Sequence, residues 1–217
     1  MLTACNQDFS ILAPASTNAG RIAALWWGMF FWFAAVLICL VGSWIYAIMR
    51  SPEGTTAHRE RQHQRRWLVG GGLVLPIVSM AVILAFGIPA GNSMLPSTPG
   101  EGDVLRVNVT AYQWHWDVHY PDSDIRLVDE IHIPAHTAID VHLSSADVIH
   151  SFWVPRLGRK LDMFPGRTNV LRLLADAPGV YRGQCAEFCG TGHAHMKLTV
   201  IAHSNEDFRR WEEGRDE

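Results

Sequence analysis

Two thiols, two imidazoles and a thioether fall within twelve residues near the end of this 217-residue chain: Cys185, Cys189, His193, His195 and Met196. Such a loop suits a soft or borderline metal, because hard cations prefer oxygen and zinc gains little from methionine sulfur. Copper fits this donor set. Upstream, residues 147–153 read DVIHSFW and set His150 in a β-rich stretch, from which a rigid strand end could carry its imidazole to the loop. A single blue-copper centre uses one cysteine, two histidines and a weak axial methionine. The second cysteine is then left over, and its economical use is to bridge a pair of coppers. Two other readings stand beside this one. Cys185 and Cys189 could form a disulfide in an oxidising compartment, or a structural zinc could take both cysteines and two histidines, leaving Met196 and Glu187 idle.

The pattern C-x-E-x-C-G-x-x-H-x-x-M over residues 185–196, preceded by DVIHSFWVP at 147–155, resembles cytochrome c oxidase subunit II and its binuclear CuA centre. The resemblance extends to QWHW at 113–116, DMFPGR at 162–167 and two apolar segments nearer the N-terminus. It implies that Cys185 and Cys189 bridge two coppers, that His150 and His193 are the terminal imidazoles, and that Met196 and the Glu187 main-chain carbonyl are weak ligands. The C-G-x-x-H spacing selects His193, which leaves His195 as a surface or supporting residue. By the same resemblance the Glu187 carboxylate helps hold magnesium or manganese shared with subunit I, in keeping with the oxygen preference of hard cations. Trp114 becomes the exposed aromatic that takes electrons from cytochrome c, with Trp116 packed on the opposite face. His115 departs from the tyrosine that many relatives carry.

The elements that must position these residues fall into two parts. Residues 22–49 contain no charge, and a second uncharged run begins at Trp67, so each can cross a bilayer as a helix. Pro76 and the glycines at 70–72 do not veto the second span, because neighbouring helices can repair freed backbone groups, but Pro76 predicts a kink. The connecting segment holds Arg50, Arg59, Arg61, Arg65 and Arg66 against Glu53 and Glu60. The positive-inside rule puts it in the cytoplasm and both termini in the periplasm. Beyond a Pro- and Gly-rich linker, short apolar alternations recur at 104–110, 139–143, 169–174 and 197–201, separated by turn signals. This pattern predicts a sandwich or Greek-key barrel, which the resemblance identifies as cupredoxin-like.

The expected fold is therefore a two-helix transmembrane hairpin followed by an all-β cupredoxin-like Greek-key barrel. Its divisions are a periplasmic tail over 1–21, a hairpin over 22–90 with spans near 25–49 and 67–90 and a cytoplasmic loop at 50–66, a linker over 91–102, the CuA domain over 103–203 and a C-terminal tail over 204–217. Within that tail, residues 205–213 read as a short amphipathic helix. Cys39 reads as a small packing residue. Cys5 follows a lipoprotein-like LTA box without an apolar stretch before it, so either the true start lies upstream or Cys5 sits in a simple tail.

Residues 101–217 carry 18 acidic and 12 basic side chains, a balance of −6, against −3 for the whole chain. An acidic face suits a basic cytochrome c, with Asp117, Asp122, Asp124, Asp129, Glu130 and Asp147 as steering carboxylates. No basic groove interleaved with aromatics occurs, which argues against nucleic acid as a partner. The resemblance implies the electron-accepting subunit of a terminal respiratory oxidase in a bacterial inner membrane. Such a subunit passes electrons to haem in subunit I, where oxygen is reduced to water and protons are moved. The chain lacks the intramembrane histidine cluster that haem ligation needs, and no C-x-x-C-H occurs, so the cytochrome is a separate protein. Alternatives are the CuA subunit of a nitric oxide reductase and a membrane-anchored copper carrier. A quinol-oxidase subunit is disfavoured by the full ligand set.

Overall fold

The longest helix, α1 (Thr17–Met49), begins where Ser16 Oγ accepts from the Ala19 N–H at 3.0 Å, an N-cap for an otherwise apolar segment. Its 33 residues rise about 50 Å at 1.5 Å each, more than the roughly 30 Å of bilayer hydrocarbon. The computed structural model describes residues 9–50, 57–92, 94–96 and 104–214; Cys5 lies outside them. Two compact units divide the chain, Ala24–Gly91 on one side and Met1–Ala23 with Asn92–Glu217 on the other.

In the first unit α1 is followed by α2 (Ala57–Arg66), a π-helical stretch (Trp67–Val74) and α3 (Leu75–Asn92). Helix thus starts within the segment expected to be a loop and runs from His58 to Asn92 as a second helix long and apolar enough to cross a membrane. The wide turns end two residues before Pro76, whose ring collides with an α-helical carbonyl four residues back and supplies no N–H. The π-helical turns thus stand in the stretch where that collision would fall. Trp32 Nε1 donates to Ser79 Oγ at 3.0 Å, tying α1 to α3.

The second unit is a two-sheet sandwich. β1 (Arg106–Tyr112), β2 (His115–Tyr120), β3 (Ile125–Val128), β4 (Glu130–Pro134) and β5 (Ile139–Ser145) are followed by β6 (His150–Trp153), β7 (Leu161–Met163), β8 (Asn169–Leu173), β9 (Gly179–Cys185) and β10 (Lys197–His203). One sheet has the order β3-β2-β1-β5-β8 and the other β4-β10-β9-β6-β7. Pairing is antiparallel except for β1 with β5 and β4 with β10. Alternate residues of β1, β5 and β10 are buried, as the period-two patterning predicts. The inward faces meet in a core that includes Trp116, Tyr120, Phe152, Ile131 and Leu143, each at most 1% exposed. A last helix, α4 (Asn205–Glu213), is capped by Ser204 Oγ, which accepts from Asp207 N–H at 3.1 Å.

The residues at the start of α1 are fastened to this sandwich. Ala15 N–H donates to the Arg156 carbonyl at 2.8 Å, Ser16 Oγ to the Leu157 carbonyl at 2.7 Å, and Thr17 Oγ1 to Asp176 at 2.9 Å.

Candidate metal centre

The loop from Ala186 to Met196 is closed by the β9–β10 ladder. Lys197 pairs with Gln184, and Cys185 N–H then donates to the Met196 carbonyl at 3.0 Å. Cys185 and Met196 therefore stand on the two stems of one turn. The β6–β9 ladder pairs Phe152 with Cys185, and Ala186 N–H donates to the Ser151 carbonyl at 2.9 Å. His150, at the start of β6, thus overhangs the loop. Within the loop His193 N–H donates to the Gly190 carbonyl at 3.1 Å, opening a short 3-10 turn over His193–His195 that sets His193 beside Cys189.

Five side chains converge as a result. Cys185 and Cys189 are free thiols with sulfurs 3.8 Å apart. His150 Nδ1 lies 3.9 Å from the Cys185 sulfur, and His193 Nδ1 lies 3.5 Å from that of Cys189. The Met196 sulfur is 3.9 Å from the Cys189 sulfur, and the Glu187 carbonyl oxygen is 3.2 Å from the Cys185 sulfur. His150, Cys185 and Cys189 can each turn a ligand atom to one point, their atoms lying within 4.8 Å of one another. All three are buried, as is Met196. This donor set of sulfur and imidazole with a nearby carbonyl fits a soft or borderline transition metal. Burial, and after it the neighbouring Cys185, push the Cys189 thiol up to about 12, so an incoming metal has to displace its proton.

Other expected residues fall around this cluster. His195 is exposed at the end of the 3-10 turn. The Glu187 carboxylate is also exposed and accepts from the Phe188 N–H at 3.2 Å. It borders a groove of about 630 Å³ together with Ile149, Asp162, Phe164 and Phe188. Trp114 is 40% exposed, with its ring against the loop and its indole N–H 3.3 Å from the Cys189 carbonyl. A Cβ on Gly192 would come within 2.3 Å of that ring, so glycine at this position is what lets the indole lie flat on the turn.

Trp116 is fully buried and meets Phe152 edge-on at 5.9 Å. The expectation that Trp114 and Trp116 point to opposite faces holds for a different reason from strand alternation. Two residues apart in one strand would share a face. Trp114 instead belongs to the β1–β2 turn, while Trp116 is inside β2.

Asp147, expected to steer a partner from the surface, instead holds the site together. Its Oδ1 lies 2.8 Å from His150 Nε2 and accepts from Val148 N–H at 2.6 Å, while Oδ2 accepts from Gln113 N–H at 2.7 Å. Burial raises its pKa, but the hydrogen bonds from His150, Val148 and Gln113 outweigh that and leave it below the usual carboxylate range. By occupying Nε2, the carboxylate leaves Nδ1 of His150 facing the sulfurs. Gln113 extends the link, since its side-chain amide donates to the Cys189 carbonyl at 2.7 Å. The available signal was Asp147 three residues before His150, as both sit at the mouth of one strand. Gln113 carried no such signal. Three further members of the expected acidic face are also committed elsewhere: Asp129 Oδ1 accepts from Trp116 N–H, Glu130 bonds His132, and Asp124 Oδ1 meets His119 Nε2 at 2.9 Å and Arg126 at 3.3 Å.

Fold and cluster together define a class: a cupredoxin-like sandwich with a sulfur and imidazole metal group, joined to two helices apolar enough for a bilayer. The sequence model of the cytochrome C oxidase subunit II periplasmic domain matches residues 123–203. Over a 218-residue alignment the chain is 30% identical to cytochrome c oxidase subunit 2 of Cereibacter sphaeroides, covering 82% of this chain and 70% of that relative. The chain belongs to the cytochrome c oxidase subunit 2 family. It is 39% identical over 145 residues to the subunit 2 of Alkalihalophilus pseudofirmus, covering 65% of this chain and 42% of that protein. Against other relatives it spans 50% of a probable subunit 2 from Rickettsia prowazekii and 36% of the one from Thermostichus vulcanus. The crystal structure of the periplasmic domain of subunit II of cytochrome oxidase from Bradyrhizobium japonicum superposes with a TM-score of 0.50 at 31% identity, covering 56% of this chain and 96% of that one.

Proposed function

We propose that this chain is the electron-accepting subunit of a haem-copper terminal oxidase, taking electrons from cytochrome c and delivering them to haem in subunit I, where oxygen is reduced to water. The observation that carries this reading is the convergence of two thiols, two imidazoles and a thioether in steps of 3.5–3.9 Å. In this reading Cys185, Cys189, His150 and His193 would hold a pair of coppers, with Met196 and the Glu187 carbonyl as weaker ligands. Such a group supplies reversible one-electron chemistry with little reorganisation. The protein's own contribution is to bury the sulfurs, fix the His150 ring through Asp147, and hold Trp114 at the surface with its indole on the ligand loop.

The Glu187 carboxylate, turned to the groove rather than to the sulfurs, is the oxygen donor for a magnesium or manganese ion shared with subunit I. The remaining exposed acidic side chains, Asp117 and Asp122 among them, favour a basic cytochrome. The arginine-rich segment at 59–66 sets the orientation, with both termini and the metal domain on the periplasmic side of a bacterial inner membrane.

Copper analysis and electron-spin resonance on the full chain test the reading. Two coppers per chain sharing one unpaired electron are expected. One copper per chain, or a Cys185–Cys189 disulfide persisting under loading conditions, refutes it.

A further inference from the structure

A second cluster of titratable side chains lies on the outer face of the sheet that carries β4 and β10, away from the metal group. The parallel register pairs His132 with Ile201 and Pro134 with His203. His203 is therefore the diagonal neighbour of His132 on the same face, and Glu130, two residues before His132, shares that face. His132 Nδ1 lies 2.7 Å from His203 Nε2, and His132 Nε2 lies 2.5 Å from Glu130 Oε1. The two imidazoles are nearly coplanar, at 11°. Over them lies the Trp211 indole of α4, stacked on His132 at 4.2 Å and 6° and reaching His203 at 6.2 Å. Phe208, three residues earlier on the same helix face, completes the contact with His203 at 6.4 Å. His132 is 6% exposed.

The surrounding groups define what charge the pair meets. From β4 the carboxylate in contact is Glu130. From β2 comes the Tyr120 hydroxyl, which donates to the His132 carbonyl and accepts from its N–H, pinning the backbone beneath the ring. From β10, Lys197 reaches away to Gln184 at the far end of the strand. On α4, Glu206 and Asp207 pair with Arg210 and Arg209 donates to the Asn205 carbonyl, while Glu212 is half-buried and Glu213 exposed on either side of the last turn.

Counting protons along Glu130, His132 and His203 shows what the arrangement can hold. A carboxylate accepts only, so His132 Nε2 is the donor to Glu130. With both rings neutral, His132 Nδ1 then accepts from His203 Nε2–H, and every contact is satisfied. One added proton makes the pair singly positive, still with one proton between the rings. That charge is flanked by Glu130 and covered by the indole face, which attracts cations. A second added proton makes both rings imidazolium and sets N–H against N–H at 2.7 Å, so the ring-to-ring bond is lost and the two charges repel.

We propose that His132 and His203 form a proton-binding dyad that latches α4 to the sandwich, holding the helix with none or one extra proton bound and releasing it when a second arrives. The ligand is the proton itself, and the switch works through Trp211, whose seat is the plane of the paired rings.

The test is hydrogen exchange of the full chain across acid to neutral pH, corrected for intrinsic exchange. Wild-type protection of the Phe208–Glu213 amides is expected to fall at least about tenfold through an acid step while the β1 and β5 amides stay protected. His203→Gln keeps a donor to His132 Nδ1 but cannot accept a second proton, so α4 stays docked and the step disappears. An identical acid profile in wild type and His203→Gln overturns the proposal, as does acid exchange that rises equally in β1 and β5. Titration of 15N-histidine-labelled wild type requires no substitution. The two ring signals are expected to respond together through their shared hydrogen bond; two rings that respond independently of one another overturn it.

Discussion

Replacing Asp147 with Asn separates a steering carboxylate from one that orients a ligand. The wild-type carboxylate offers oxygen to both sides, Oδ1 to His150 and Val148 and Oδ2 to Gln113. An amide has one oxygen. With that oxygen toward His150, the NH2 group confronts the Gln113 N–H across a 2.7 Å contact and the β1–β2 turn carrying Trp114 must shift. Flipped, the amide donates toward His150 Nε2, which favours the tautomer whose proton sits on Nδ1 and faces Cys185. A hydrogen bond to a charged group contributes about 1.5–3 kcal/mol, and the partial exposure of Asp147 places the loss near the lower end through solvent screening. A loss of about 1.4 kcal/mol is a tenfold change in binding, within the 10–100-fold range for supporting residues at metal sites. The expected result for Asp147→Asn is about tenfold weaker copper binding by chelator competition. In the metal-free chain, 15N shifts of His150 should show a change of tautomer population. Copper affinity within about twofold of wild type, with an unaltered His150 tautomer, refutes the orienting role. Asp117→Asn, which removes an exposed charge without touching His150, should leave both readouts unchanged.

Met196→Leu keeps the volume of a fully buried side chain but removes its sulfur, so copper should be retained with an altered electron-spin spectrum; an unchanged spectrum removes Met196 from the ligand set. Glu187→Gln keeps the main-chain carbonyl at Cys185 and removes the exposed charge. Copper should stay while manganese bound by the assembled oxidase falls, and loss of both metals contradicts that division of roles. Trp114→Ala should slow cytochrome c oxidation in the assembled oxidase with the copper spectrum intact, whereas normal turnover moves electron uptake elsewhere. Because the Cys189 thiol is held up to about 12, it is protonated in the empty site throughout the physiological range. Its proton must leave on loading, so apparent copper affinity should fall about tenfold per pH unit on acidification from this group alone, and a flat profile would count against thiolate ligation.

The convergence of thiols, imidazole and thioether in one loop was legible in the sequence because its geometry is local. Spacings of four residues between Cys185 and Cys189 and between Cys189 and His193 bring these side chains to one side of a tight turn, and Met196 follows at the returning stem. The two apolar helices and the alternating strands were legible for the same reason: hydrophobic periodicity is written residue by residue. Tertiary pairing decided the rest. His150 reaches the loop because β6 lies beside β9. Gln113 reached Cys189 across 76 positions of sequence. His132 and His203, 71 positions apart, meet because β4 and β10 run parallel with a register that sets them diagonally on one face. Contacts between distant residues depend on which strands become neighbours and in what register, and no local spacing encodes that choice.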